Sequence, residues 1–180
     1  MKFKNLFLAL FLTLTAISCK EDGKNQENGN QEAEVAVNAF KVTLNFIAKK
    51  DDDFCLLYTE DGSIDFKEGV WKAVKGAENE QVVEFYLPND SFPTQLRLDL
   101  GRNAEQEDIV IKSIKFEYDG NVRELKGPEM GAFFRPDYSK CSFDTATGLV
   151  QAKVKDGKRE VPSLYPHENV FAAELPKLIK

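Results

Sequence analysis

The sequence predicts an all-β fold, an antiparallel two-sheet β-sandwich of jelly-roll-like character over residues 35–180, following a signal peptide and a flexible tether. Three observations predict it. Apolar residues recur at every second position in segment after segment, the period of strands with one buried face. Asp-Gly pairs at Asp61-Gly62, Asp119-Gly120 and Asp156-Gly157 fall between such segments and supply the positive φ angles of tight hairpins. No amphipathic helix longer than about two turns is evident, so there are no crossover helices to build a parallel sheet.

The first 18 residues are of another kind. Met1-Lys2-Phe3-Lys4 is cationic, and Leu6 to Ile17 is an uncharged, mostly apolar run too short for an ordinary membrane span. That layout is a secretory signal. Removing it takes away Lys2 and Lys4 and leaves 22 Lys and Arg against 30 Asp and Glu, a net charge of −8. An acidic chain with no basic run repels phosphate backbones, which argues against nucleic acid as a partner. From residue 19 to residue 34 the chain has no large apolar side chain. Such a segment buries nothing and reads as an acidic, polar tether.

The strands follow in order. Phe40, Val42, Leu44 and Phe46 alternate with Lys41, Thr43 and Asn45, and Phe54 to Tyr58 is a short apolar strand. The Val70-to-Val74 segment has Trp71 facing outward if its valines face in. Val83, Phe85 and Leu87 alternate next, then Leu96, Leu98 and Leu100 with Arg97 and Asp99 facing away. Between Ile109 and Tyr118 the phase slips, because Ile109 and Ile111 share one face with Ile114, Phe116 and Tyr118 only if one extra residue is inserted near Ser113. A β-bulge is expected there. Val150, Ala152 and Val154 repeat the alternation, and a short helix near Asn169 to Leu175 would be stopped by Pro176. With 14 Phe and 42% hydrophobic residues in 180, the chain has enough apolar material for one packed domain.

Three resemblances add to this reading. Ala16-Ile17-Ser18-Cys19 resembles a bacterial lipobox, with Ala16 where Leu is commonest. The resemblance implies cleavage before Cys19 and lipid on its thiol, hence anchoring to a membrane, where two or more acyl chains hold stably. Lys20-Glu21-Asp22 directly behind it resembles the surface-export signal of some Gram-negative lipoproteins, which implies the outer membrane and its exterior face. The series Tyr58-Thr59-Glu60-Asp61-Gly62, Val74-Lys75-Gly76, Val83 to Pro88, Leu96 to Gly101 and Ile109 to Ile114 resembles a β-sandwich of the carbohydrate-binding-module type. It implies a non-catalytic binding module for carbohydrate or another cell-envelope component. A subunit docking on an envelope protein is the second reading, and a small lipid-anchored hydrolase working through two carboxylates is the third.

The residues that carry chemistry are few. The one histidine, His167, lies in a proline-rich stretch without a nucleophile-elbow motif, and reads as a loop residue. Neither a histidine-rich zinc site nor a Cys-x-x-Cys is present, so no cofactor is expected beyond a structural calcium on Asp51, Asp52, Asp53 and Asp61. Those acids lack the alternating spacing of a calcium loop and also read as a solvated turn. Cys55 and Cys141 are a pair that an oxidising compartment can bridge, or two separate buried thiols. Trp71, with Tyr58 and Tyr86, supplies aromatic faces on which a sugar ring can stack, or else core side chains.

Overall fold

The structure is a computed structural model and describes residues 39–179. The expected signal peptide, Cys19, Lys20-Glu21-Asp22 and the expected tether lie outside the described residues. Within them the chain forms an all-β sandwich of two large antiparallel sheets.

The strands are β1 (Lys41–Ile47), β2 (Asp52–Thr59), β3 (Glu68–Val74), β4 (Gln81–Tyr86), β5 (Gln95–Leu100), β6 (Ile109–Tyr118) and β7 (Asn121–Lys126). A short helix α1 (Pro128–Phe133) follows. Then come β8 (Phe134–Pro136), β9 (Cys141–Asp144), β10 (Leu149–Ala152), the small hairpin β11 (Val154–Lys155) and β12 (Lys158–Arg159), and β13 (Ser163–Pro166). Helix α2 (Glu168–Glu174) and a 3-10 turn at Leu175–Leu178 end the described chain. The first sheet has the order β4-β1-β6-β10-β9, with β7 also paired to β6, and the second has β3-β2-β5-β13-β8.

Alternation places one apolar set from each sheet between the layers. Val42, Leu44 and Phe46 of β1 and Phe85 of β4 face Phe54 and Leu56 of β2 and Leu96, Leu98 and Leu100 of β5 across one continuous core. At about 25 cal/mol per Å² of apolar surface removed from water, this burial is the main force closing the sandwich. The first sheet's outer face is polar. Lys41 bridges Glu117 at 2.9 Å and Glu84 at 3.6 Å, and Lys115 reaches Glu117 at 2.8 Å.

The expected bulge is present. Asn45 pairs with Ser113 but Phe46 pairs with Ile111, leaving Lys112 as the extra residue on β6. It lies where the far edge of β6 changes partner, from β10 at Ile109 and Val110 to β7 from Ser113 onward. Two of the three Asp-Gly pairs make the predicted tight hairpins, with positive φ at both residues: Asp119 (46°) and Gly120 (76°), Asp156 (51°) and Gly157 (74°). The third differs. Asp61 keeps a negative-φ backbone and its carboxylate accepts from the Ser63 amide at 3.0 Å, so residues 60–67 form a longer loop. Val154 also departs from expectation, being 70% exposed on the β11–β12 hairpin instead of extending the buried face of β10. At the C-terminal end α2 arrives where expected and gives way to the 3-10 turn at Pro176.

Helix α1 is not signalled by any periodicity. Pro128 starts it after Gly127, whose φ of 52° turns the chain. Phe133 and Phe171 of the two helices pack edge to face at 5.6 Å and close one end of the core against Phe116 and Phe134. Among the described residues no helix is long and apolar enough to cross a membrane.

Candidate functional site: the outer face of the second sheet

Register decides what the second sheet shows to solvent, since directly paired residues share a face. Gly69 of β3 pairs with Leu57 of β2, Leu57 with Arg97 of β5, and Tyr165 of β13 with Arg135 of β8. Ser163 pairs with Asp99 and Leu164 with Leu98, so Tyr165 continues the row at Arg97. One row of side chains, Gly69-Leu57-Arg97-Tyr165-Arg135, therefore crosses the five strands on the outward side. The adjacent row is Trp71, Cys55, Asp99 and Ser163.

The two rows are chemically mixed. Arg97 donates from Nε and Nη2 to both oxygens of Asp99, at 2.8 and 2.6 Å, and from Nη1 to the Tyr165 hydroxyl at 3.0 Å. Its guanidinium lies 4.8 Å from the centre of the Tyr165 ring and 5.8 Å from that of Phe66, which the loop 60–67 folds over this face. Arg135 approaches the Tyr165 ring at 5.5 Å. At the other side Trp71 is 47% exposed, and the Arg102 guanidinium sits 3.4 Å from the indole centre. Gly69 carries no side chain in between. A Cβ there would come within 2.8 Å of Cys55 Sγ and 3.1 Å of Leu57 Cγ, so the Cys55 and Leu57 side chains close up against the glycine and leave no space for a larger residue. Aromatic faces, fixed guanidinium groups and a carboxylate thus share one surface.

Arg102 is held by a buried carboxylate. Asp52 Oδ1 accepts from the backbone amides of Asp53 (2.8 Å), Arg102 (2.7 Å) and Asn103 (2.9 Å), and Oδ2 accepts from Gln106 Nε2 at 3.2 Å. The loop after β5 is folded around this group. A shallow depression of about 460 Å³ beside it is lined by Asp51, Asp53, Ala73, Lys75, Arg102 and Asn103 among others.

The three aromatic residues predicted as ligand contacts do not form one platform. Trp71 is exposed on the outer face, with Val70 and Val74 turned the other way. Tyr58 is 6% exposed and points into the core, where its hydroxyl donates to Glu68 at 2.9 Å, and burial together with that carboxylate pushes its phenol up. Tyr86 is on the outer face of the other sheet, donating to Glu84 at 2.7 Å. Their separation follows from strand parity: Tyr58 is in phase with the inward Phe54 and Leu56, and β4 belongs to the opposite layer. Phe66 and Tyr165 are aromatic residues of the same face that sequence reasoning missed. Arg97 and Asp99 were legible as outward residues of β5.

Cys55 and Cys141 are free thiols, so the disulfide is not formed in this structure. Cys55 lies under the outer face opposite Trp71 and Asp99, whereas Cys141 belongs to the core and its thiol donates to Ser163 O at 3.6 Å. Burial pushes the Cys55 thiol up to about 11, with the Asp99 carboxylate adding to it. The calcium set is not assembled either. Asp51 accepts from Lys75 Nζ and Gly76 N, Asp52 is consumed by the loop amides, and Asp61 lies beyond the far end of β2. At about 3.3 Å per residue that strand separates Asp51 from Asp61 by roughly 25 Å. Among the described residues no three His, Cys, Asp or Glu side chains gather as metal ligands would. His167 is exposed and precedes α2, its backbone amide donating to Phe133 O at 2.7 Å.

Compared with protein families, curated proteins and solved structures, the chain has no match.

Proposed function

We propose that this chain is a lipid-anchored, non-catalytic binding module that takes carbohydrate on the outer face of its second sheet. The observation that carries the proposal is the exposed Trp71 sharing that face with Tyr165, Phe66 and a set of fixed polar groups. Pyranose rings present C–H faces that stack on aromatics, while their hydroxyls need donors and acceptors nearby. Arg97, Arg102 and Asp99 offer both. The sequence resemblance to carbohydrate-binding modules points the same way, and so does the surface location that the lipobox and export-signal resemblances imply.

The test is a glycan array probed with the full chain in detergent. Trp71→Ala should cost on the order of 1–3 kcal/mol of binding, as loss of an aromatic anchor commonly does. That is roughly five-fold to over a hundred-fold in affinity. Because Trp71 is nearly half exposed, its melting temperature should stay close to that of the unaltered chain. An unchanged array profile would refute the site. Failure of the unaltered chain to bind any glycan would leave docking on an envelope protein as the better reading.

Anchoring through Cys19 and display on the exterior of the outer membrane, directed by Lys20-Glu21-Asp22, belong to the same proposal. Cys19→Ala should abolish incorporation of labelled palmitate and leave the precursor uncleaved at residue 18. Undiminished labelling in that variant would remove the anchor from the reading.

A further inference from the structure

We infer that the ligand of this face carries an acidic group, and that Arg102 is the residue that selects it. The inference rests on the carbohydrate reading above and names the class of sugar. Its basis is the distribution of partners among the arginines. Arg97 is bidentate to Asp99, Arg123 pairs with Glu129, and Arg135 has Glu168 at 3.7 Å. Arg102 differs. Among the described residues its guanidinium has neither a carboxylate within ion-pair distance nor a hydrogen-bond acceptor, and it lies against the exposed indole of Trp71.

A guanidinium stacked on a ring uses its face for the contact and keeps its N–H edge free in the plane. That edge matches the two oxygens of a carboxylate. The backbone beneath is fixed, because Asp52 accepts the amides of both Arg102 and Asn103, so the group is presented by an ordered loop. Arg159, donating to the Gly101 carbonyl at 3.3 Å, adds a second positive charge next to that loop. Four carboxylates near this guanidinium bear on the argument: Asp52 is consumed by the loop amides and Gln106, and Asp51, which lines the same depression, pairs with Lys75. Asp99 is neutralised by Arg97. Asp53, exposed opposite Ala73 in the row beside Trp71, forms no ion pair among the described residues and repels an acidic ligand. A sugar that packs against the exposed part of the indole and sets its carboxylate on the free N–H edge of Arg102 is thus a uronic acid unit.

The experiment uses the full chain in detergent against three uronate polymers, polygalacturonate, polymannuronate and hyaluronan, each beside its neutral methyl ester. At least one acid form should bind about tenfold or more tightly than its ester, the scale of a charge-assisted hydrogen-bond pair. Arg102→Gln should erase that difference with an unchanged circular dichroism spectrum, and Asp53→Asn should strengthen binding of the acid form. Equal binding of acid and ester, or a preference that survives Arg102→Gln, overturns the inference while leaving the carbohydrate reading intact. Binding confined to neutral glycans on the array has the same effect. Absence of binding to every glycan, neutral or acidic, defeats both.

Discussion

Replacing Phe116 with alanine is expected to lower the unfolding free energy by about 3–5 kcal/mol, the usual cost of truncating a fully buried phenylalanine. Phe116 has no exposed surface, and its ring packs against the segment before β1 and against both helices. Its ring centre is 6.4 Å from that of Phe40, 6.1 Å from that of Phe133 on α1 and 5.9 Å from that of Phe171 on α2. These neighbours are carried by separate pieces of backbone, so they cannot close in together and the cavity stays open. A loss of this size is a large part of the roughly 5–15 kcal/mol that holds an ordinary domain folded. Urea unfolding should show a lower midpoint with an unchanged slope. Val122→Ala, at a residue 55% exposed on β7, is the control and should shift stability by no more than about 0.5 kcal/mol. Equal midpoints for the two variants would mean that the aromatic cluster does not hold the end of the sandwich.

The elements that could be read from the sequence are those whose pattern is local. The strands β1, β4, β5 and β6 announce themselves through alternation, and even the bulge at Lys112 shows as a phase slip between Ile111 and Ile114. Two Asp-Gly hairpins are legible because both residues must adopt positive φ, and few other pairs do so readily. The third fails for a physical reason: the Asp61 carboxylate captures the Ser63 amide and turns the chain differently. What the pattern does not carry is which strand lies beside which. Tyr165 is an unremarkable residue in a proline-rich stretch until β13 pairs with β5 and places it next to Arg97. Phe66 reaches the same ring only because its loop folds back over the sheet. Conversely, Tyr58 and Tyr86 look equivalent to Trp71 as isolated aromatics, and only sheet membership and parity separate them. The face is written in long-range pairing, of which alternation fixes only the phase.

The stacked Arg102 depends on Asp52, and Asp52→Ala is expected to destabilise the chain by about 3–4 kcal/mol, since several buried donors lose their acceptor at once. Asp52 is 9% exposed and satisfies the amides of Asp53, Arg102 and Asn103 together with Gln106 Nε2. Gln106 in turn donates to Lys50 O at 2.9 Å, so the carboxylate ties the loop after β5 to the turn before β2. The loop is shaped around it closely. Gly101 has φ of 86°, and a Cβ at that position would lie 2.2 Å from Asp52 Oδ2. Asp52→Asn keeps one acceptor oxygen for the three amides but sets an NH₂ against the Gln106 NH₂, so it should cost less than the alanine change, about 1–2 kcal/mol. The two variants should therefore fall in the order wild type, Asn, Ala in urea midpoint. The alanine variant should also free the Arg102 and Asn103 amides to exchange with solvent much faster than in the unaltered chain. Trp71, the single tryptophan, reports on the same event. Its fluorescence in Asp52→Ala should match that of Arg102→Ala, because either change removes the guanidinium from the indole. A wild-type midpoint and wild-type exchange at residues 102 and 103 would show that the loop keeps its shape without the carboxylate, and that Asp52 does not position Arg102.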